Sequence, residues 1–345
     1  MRYTAQQLAD LYEAPLEVLR EKAFEARVQT SGRNIYFNRN FHVEPSNICT
    51  HRCRFCSYRR DNAQQEGAWS YSLEQIESYC REKFTSGMTE VHIVGSVHPD
   101  RKIDYYEEIL RIARRVAGPS VTLKAYTAVE IDDMCRFNGL TPEQCLMRLK
   151  DAGLQAMPGG GAEIFDSQVR TRICPDKCDA SRWLEIHRTA HRLGIPSNAT
   201  MLFGHLETRE QRIDHLLRIR QLQDETGGFG AFIPLRYSSK NNSLSQLGEV
   251  TEEEVMRTFA VIRLALDNVP HIKAYWPMLG KSLSIRLMEY GADDFDGTVN
   301  DSTKIYSMAG SSEQKPVLTV EELRSLAENA GFKAVERDSF YKIIS

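Results

Sequence analysis

Three cysteines within eight residues, Cys49, Cys53 and Cys56, are the part of this sequence best equipped for chemistry. They stand in Asn47-Ile-Cys-Thr-His-Arg-Cys-Arg-Phe-Cys-Ser-Tyr58 with C-x3-C-x2-C spacing, so a single loop can bring three thiolates to one metal centre. An iron–sulfur cluster is the natural occupant, because such clusters are held by cysteine thiolates. A [4Fe–4S] cube normally takes four, and three leave one iron open to another ligand. The alternative is a structural zinc site completed by His51 or a distant residue. Closed zinc sites usually pair two short Cys/His hairpins, and no second hairpin is evident. Cys174-Pro-Asp-Lys-Cys178 is the other close pair among the eight cysteines.

Positioning these thiols requires a scaffold, and the chain alternates short β-rich runs with longer helical patterns. Candidate strands are Phe41–Glu44, Val91–Val94, Val121–Ala125, Leu154–Met157, Ser197–Leu202, Ala231–Pro234, Ile272–Tyr275 and a weaker one near Ala292–Phe295. Between them, apolar residues recur at three- and four-residue spacing, as in Trp183, Ile186, Ala190, Leu193 and in Val255, Phe259, Ile262, Leu266, the pattern of one-sided helices. Ser72-Leu-Glu-Gln75 and Thr251-Glu-Glu-Glu254 resemble capping boxes, and Gly87, Gly153 and Gly194 follow helical runs as stops. Eight such alternations predict a (β/α)8 TIM-type barrel with room for an incomplete last unit. The expected organisation is an N-terminal helical extension over 1–33, broken at Pro15, a barrel over 34–310, and a C-terminal extension over 311–345 with a helix from Val320 to Ala330 and a small strand.

The spacing C-x3-C-x-aromatic-C, with Phe55 in the aromatic slot, resembles the radical S-adenosylmethionine (SAM) superfamily. The resemblance implies one [4Fe–4S] cluster whose open iron chelates the amino and carboxylate groups of SAM. One electron then cleaves the sulfonium to give a 5′-deoxyadenosyl radical. The cysteine loop follows the first expected strand, at the carboxyl mouth where barrel active sites are assembled, so other strand ends should line the same mouth. Gly95-Ser96 stands where the superfamily often has a Gly-Gly turn contacting the SAM amino group. Gly159-Gly-Gly-Ala-Glu163 allows close backbone approach, with Glu163 accepting from ribose hydroxyls or the methionyl ammonium. Arg172 is the candidate for a two-pronged carboxylate contact. Phe55 and Tyr58 complete this cofactor-side group.

Beyond the cluster, the chain resembles the aminofutalosine synthases of menaquinone biosynthesis. The resemblance is carried by His42-Val-Glu-Pro-Ser-Asn-Ile-Cys49 through Asp61, by Pro158–Phe165 through Lys177, by Ser197–Thr208 with Asp224–Phe229 and Phe232–Leu235, and by Gly291–Val299. It implies addition of the 5′-deoxyadenosyl radical to the enol ether of 3-[(1-carboxyvinyl)oxy]benzoate, giving 6-amino-6-deoxyfutalosine, methionine and bicarbonate. The two substrate carboxylates call for donors at the mouth: Arg236, Asn198, His205 and Arg172, with His98 and Tyr58 as walls. Family habit implies reduced flavodoxin or ferredoxin as electron donor. The sister enzymes that share the cluster, cyclic dehypoxanthinyl futalosine synthase and the deazaflavin-forming synthase, abstract hydrogen instead. Glu44-Pro45-Ser46 and Phe295–Thr298 favour the aminofutalosine branch. A zinc-stabilised scaffold is the rival from another class.

Composition fits this reading. Lys and Arg total 44 against 47 Asp and Glu, a net charge of −3, without the basic excess of phosphate-backbone binders. The longest mostly apolar stretch, Phe259–Leu266, carries Arg263, and the start, MRYTAQQLADLYE, has neither a basic head nor an apolar run. The expectation is a cytoplasmic enzyme with free thiols, without nucleic-acid or membrane partners, a homodimer being left open. His187 and His191, at i and i+4, read as surface or packing residues. The run Arg52, Arg54, Arg59, Arg60 reads as a solvated rim or docking surface for an acidic electron donor. Asp293, Asp294 and Asp296 read as a loop packed near the mouth.

Overall fold

Eight short parallel segments close into a ring in the computed structural model, which describes residues 2–298, 302–311 and 314–344. Seven of them are the strands β1 (Asn34–Val43), β2 (Glu90–Ile93), β3 (Thr122–Ala125), β4 (Ser197–Phe203), β5 (Phe229–Arg236), β6 (His271–Ile272) and β7 (Asp294–Thr298), and a further strand, β8 (Lys333–Glu336), pairs with β1 outside the ring. One arc runs β3-β2-β1-β7 and the other β4-β5-β6. Parallel bridges join them: Lys124 to Ala156 and Met157 to Ser197 on one side, Lys273 to Asp294 on the other. The weak eighth strand is therefore β7, which pairs with β1 across Tyr36–Arg39 and closes the barrel. The thin place is the fourth position, where Leu154–Met157 survives only as bridges. Pro158 follows at once, and without an N–H it cannot extend a ladder. Val299, the last residue of the fourth resemblance stretch, lies outside the described residues.

Helices pack around this ring. Ser72 and Gln75 form the expected capping box on the helix Leu73–Lys83. Thr251 caps Glu252–Ala265, but the expected box is not completed, because the Glu254 carboxylate is taken by Arg209 and Arg212. Gly153 and Gly194 follow helix ends at φ +118° and +73°, the left-handed turn that glycine supplies without strain. Gly87 lies beyond the actual cap, Phe84, and so is not a helix stop. Outward-facing residues such as Ile35, Phe37, Val91, Ile93 and Leu123 are fully buried with the helices' apolar stripes, including Trp183, Phe259 and Leu216.

The inside of the ring is polar. Asn38, Asn40 and His42 alternate along β1, with Glu90 on β2, Lys124 on β3, Lys273 after β6 and Asp294 and Asp296 on β7, all buried. Charges buried this deeply need partners. Lys124 Nζ meets Glu90 Oε2 at 2.5 Å, Lys273 Nζ meets Asp296 Oδ1 at 2.5 Å, and Arg337 Nη2 meets Asp294 Oδ2 at 2.6 Å. The three aspartates are thus not a loop at the mouth. Asp294 and Asp296 are inward strand residues, and Asp293 accepts from the Ile272 amide at 2.8 Å and pairs with Arg263 at 3.2 Å. The C-terminal segment stoppers the opposite end of the barrel. β8 runs alongside the first four residues of β1, Ser339 Oγ donates to Glu90 Oε2 at 2.6 Å, and the Tyr341 ring stacks on His271 at 3.5 Å.

Arg337→Met should destabilise the fold by about 3–5 kcal/mol, because it leaves Asp294 buried without its closest cation. Urea unfolding followed by circular dichroism measures this; a loss below about 1 kcal/mol, the range of an exposed pair, would contradict the role given to Arg337.

Candidate active site

The cysteine loop leaves the carboxyl end of β1 and is pinned by its own backbone and by a distant turn. Cys49 N–H donates to Arg60 O at 3.0 Å, Arg60 N–H to Asn47 O at 2.8 Å, and Thr50 N–H to Val97 O at 2.9 Å. The Arg60 guanidinium gathers the carbonyls of Ser57, Arg59 and Glu66 at 2.8–3.1 Å, so it belongs to the loop's framework. From the other side, Arg54 N–H reaches Ile173 O at 2.8 Å and Arg52 N–H reaches Asp176 Oδ2 at 2.7 Å. The turn after the helix Ser167–Ile173 therefore clamps the loop.

A cavity of 440 Å³ opens beneath it, lined by Phe55, Cys56 and Tyr58 from the loop and by residues from the ends of the other strands. This is the size and placement of a small-molecule site at the mouth of a barrel. Glu163 enters it from the glycine turn with φ +49°, a strained setting for a residue other than glycine. Its carboxylate is ion-paired with Lys177, whose Nζ lies 5.3 Å from the Phe55 ring centroid. Gly159 and Gly161 are required by packing: a Cβ would stand 2.6 Å from Ala199 C and 2.5 Å from Val129 Cγ2, respectively. Both also line the cavity.

The sequence-predicted residues divide clearly. Phe55, Tyr58, Glu163, Asn198 and Arg236 line the cavity together with Cys56. Arg236 sits 3.6 Å from Glu249, and Tyr58 donates from its hydroxyl to Ser46 O at 3.2 Å. Gly95, Ser96, His98, Arg172 and His205 do not line it. Ser96 Oγ donates to Ile48 O at 2.7 Å and Gly95 N–H to Glu130 Oε1 at 3.1 Å, so this turn supports the cysteine loop from below. His98 Nδ1 accepts from the Asp100 amide at 3.1 Å. Arg172 is exposed on its helix, and its neighbour Arg170 is the buried one. His205 is consumed by Leu202 O, 3.1 Å from its Nε2, and by Glu207 Oε2, 2.9 Å from its Nδ1. His187 and His191, read as surface or packing residues, are packing residues; both ring edges converge on Ser197 Oγ, at 2.8 and 2.7 Å. Sequence reasoning passed over Lys177, whose signal was its place in the Cys-Pro-Asp-Lys turn, and the inward-facing His42, Lys124 and Lys273, which also line the cavity.

The thiols suit a cluster. All eight cysteines are free, and Cys49, Cys53 and Cys56 are each partly exposed. Burial pushes the Cys53 thiol far above its ordinary pKa while the Lys177 charge opposes this, and negative charge on Cys56 acts on both Cys49 and Cys53. Cys56 therefore lies within electrostatic reach of both Cys49 and Cys53, and ligation, not the protein alone, would hold such thiols as thiolates. Among the described residues, no three His, Cys, Asp or Glu side chains are grouped to hold a single ion. His51, the extra donor a zinc site would need, places Nε2 2.9 Å from Asp133 instead. An iron–sulfur cube takes cysteine thiolates as its ligands, so Cys49, Cys53 and Cys56 would hold it without a nitrogen donor.

Comparisons with known proteins agree with this geometry. Residues 43–219 match the Radical SAM superfamily, and residues 226–345 match the CofH/MqnC C-terminal region. The chain is 43% identical over 331 residues to the aminodeoxyfutalosine synthase of Thermus thermophilus, covering 95% of this chain and 88% of that protein. It is 36% identical over 333 residues to the 5-amino-6-(D-ribitylamino)uracil–L-tyrosine 4-hydroxyphenyl transferase of Methanopyrus kandleri, covering 95% and 89%. The crystal structure of methylornithine synthase superposes with a TM-score of 0.76 at 15% identity, covering 97% of this chain and 94% of that one, which shows a shared fold.

Replacing any one of the three cysteines by alanine should abolish cluster assembly. Iron and sulfide analysis after anaerobic reconstitution checks this; full iron content in any single variant would overturn the ligand assignment. Glu207 supplies a pH test. Burial raises its pKa, but the hydrogen bond and charge of His205, with Arg212 beside it, hold it down at about 2. Its stabilising contribution is thus complete above the ordinary value of 4.5 and is lost as pH falls from there toward 2. Stability of Glu207→Gln, measured by urea unfolding across that window, should depend less on pH than that of the parent protein.

Proposed function

The chain belongs to the radical SAM superfamily, and we propose that within it the protein is an aminodeoxyfutalosine synthase. The observation that carries the reading is the 43% identity across 95% of the chain, seven points above the hydroxyphenyl transferase relative at the same coverage (43 − 36 = 7). The reaction is addition of the 5′-deoxyadenosyl group of SAM to the enol ether of 3-[(1-carboxyvinyl)oxy]benzoate, giving 6-amino-6-deoxyfutalosine, methionine and bicarbonate. One [4Fe–4S] cluster on Cys49, Cys53 and Cys56 supplies, when bound, the electron that splits the SAM sulfonium.

The chain's own residues then have to hold reactants and exclude water, because a carbon radical is quenched by any stray hydrogen donor. Glu163 and Lys177, paired beside Phe55, would receive the zwitterionic methionyl end of SAM. Asn198 and Arg236 offer donors to the substrate. The glycine turn lets the backbone come close where side chains would fill the space. Reduced flavodoxin or ferredoxin is the electron donor in this reading, facing the exposed Arg52 and Arg54 on the cysteine loop; an acidic protein surface would be steered there. The organisation we adopt is a helical segment over 1–33, a barrel over 34–310 and a C-terminal segment over 311–345, in a cytoplasmic protein. Among the described residues no helix is long and apolar enough to cross a membrane.

Anaerobic incubation with SAM, a reductant and the enol ether, read by mass spectrometry, tests the proposal. A covalent nucleoside–benzoate adduct with one equivalent of methionine is expected. Release of 5′-deoxyadenosine with the aromatic substrate unchanged would place the chain with the hydrogen-abstracting enzymes instead.

A further inference from the structure

We propose that the floor of the cavity seats the ring carboxylate of the aromatic substrate, with Lys124, Lys273 and His42 as its donors. The inference rests on the enol-ether reading above and adds to it the orientation of the substrate. The reacting alkene and the carboxylate attached to it must face the SAM carbon, on the side of the cysteine loop. The benzoate carboxylate, on the other side of the ring, is carried away from that loop, either down into the barrel or out to the rim.

The floor has donors to spare. Lys124 and Lys273 both line the cavity, and the hydrogen bond each makes uses one of its three N–H groups, to Glu90 and to Asp296. His42, 4% exposed, lines the same floor, and its Nε2 has no hydrogen-bond partner among the described residues. A buried polar atom left unpaired costs stability, and a ligand that accepts from it removes that cost. The imidazole is held flat against His92, with ring centroids 4.8 Å apart and planes 12° from parallel. Its pKa is pulled down to about 3 by burial and by the neighbouring His92, so it is neutral and one ring nitrogen donates. Burial also lowers the Lys124 pKa, despite Glu90, and a second carboxylate beside it would oppose that effect. Glu90 and Asp296 also line the cavity and balance the two lysines, so the floor carries no excess charge of its own. The competing cations are Arg236, 23% exposed and already facing Glu249, and the exposed Lys240, which donates to Gly310 O; solvent weakens a charge pair there.

Calorimetry on the reconstituted enzyme with SAM and without reductant tests this in the absence of turnover. The probes are 3-[(1-carboxyvinyl)oxy]benzoate and 2-phenoxyacrylate, which lacks only the ring carboxylate. The parent protein should bind the dicarboxylate about 10-fold or more tightly than the monocarboxylate, the scale of a hydrogen bond to a charged group. His42→Phe, which keeps the stack on His92, and the paired variant Lys273→Gln/Asp296→Asn, which leaves no lone buried charge, should each shrink that ratio toward one. Their affinity for 2-phenoxyacrylate should change little. Iron content and melting temperature identify a variant that fails to fold, and the other variant then carries the test. Equal affinities in the parent protein, equal losses for both probes, or a ratio abolished only by Arg236→Gln would overturn the proposal. Failure of the enol-ether reading shows separately, as absence of the adduct in the turnover assay while the binding ratio persists.

Discussion

A charge withdrawn from water must be matched by another charge or by hydrogen bonds, and the inside of this barrel is built around that requirement. Many barrels fill their centre with interdigitated aliphatic side chains. Here the inward positions of β1, β2, β3 and β7 carry Asn, His, Glu, Lys and Asp, joined as Lys124–Glu90, Lys273–Asp296 and Arg337–Asp294. Apolar filling would have been simpler to stabilise but would have left no polar chamber. The pairing keeps the chamber electrically balanced, and the ring of strands keeps its members at fixed separation.

The same economy governs the mouth. The cysteine loop is held by backbone hydrogen bonds and by Arg60, which leaves its thiols for ligation. The turn that clamps it from outside also delivers Lys177 toward Glu163 and Cys53. Positioning and electrostatics are therefore linked: a shift of the turn at Asp176 would move both the loop and the cation beside it. The close approach of Gly159 to Ala199 fixes the height of the glycine turn against β4, and with it the entry point of Glu163.

Much of this was legible in the chain because the responsible patterns are local. The C-x3-C-x2-C spacing, the alternation of strand and helix, and the capping box at Ser72 each depend on neighbours in sequence. The strand β1 was legible only at its end, Phe41–Glu44, because its earlier inward residues, Asn38 and Asn40, are polar and look like a loop. His205, Ser96 and His98 sit at strand ends or in nearby turns, as candidate residues should, yet turn away from the cavity. Their direction is set by partners such as Ile48 O and Leu202 O that spacing does not reveal. Lys177 was hidden for the converse reason: nothing in a Pro-Asp-Lys turn says that it reaches across to a strand end.

The stopper at the lower end of the barrel has a consequence for how the molecule is made. β8 joins β1, and Ser339 and Arg337 complete hydrogen bonds to Glu90 and Asp294, so the first strand waits for residues near the far end of the chain. Until those residues have joined, the ring's underside is open to water and its interior charges lack part of their complement. Long-range closure of this kind is slow.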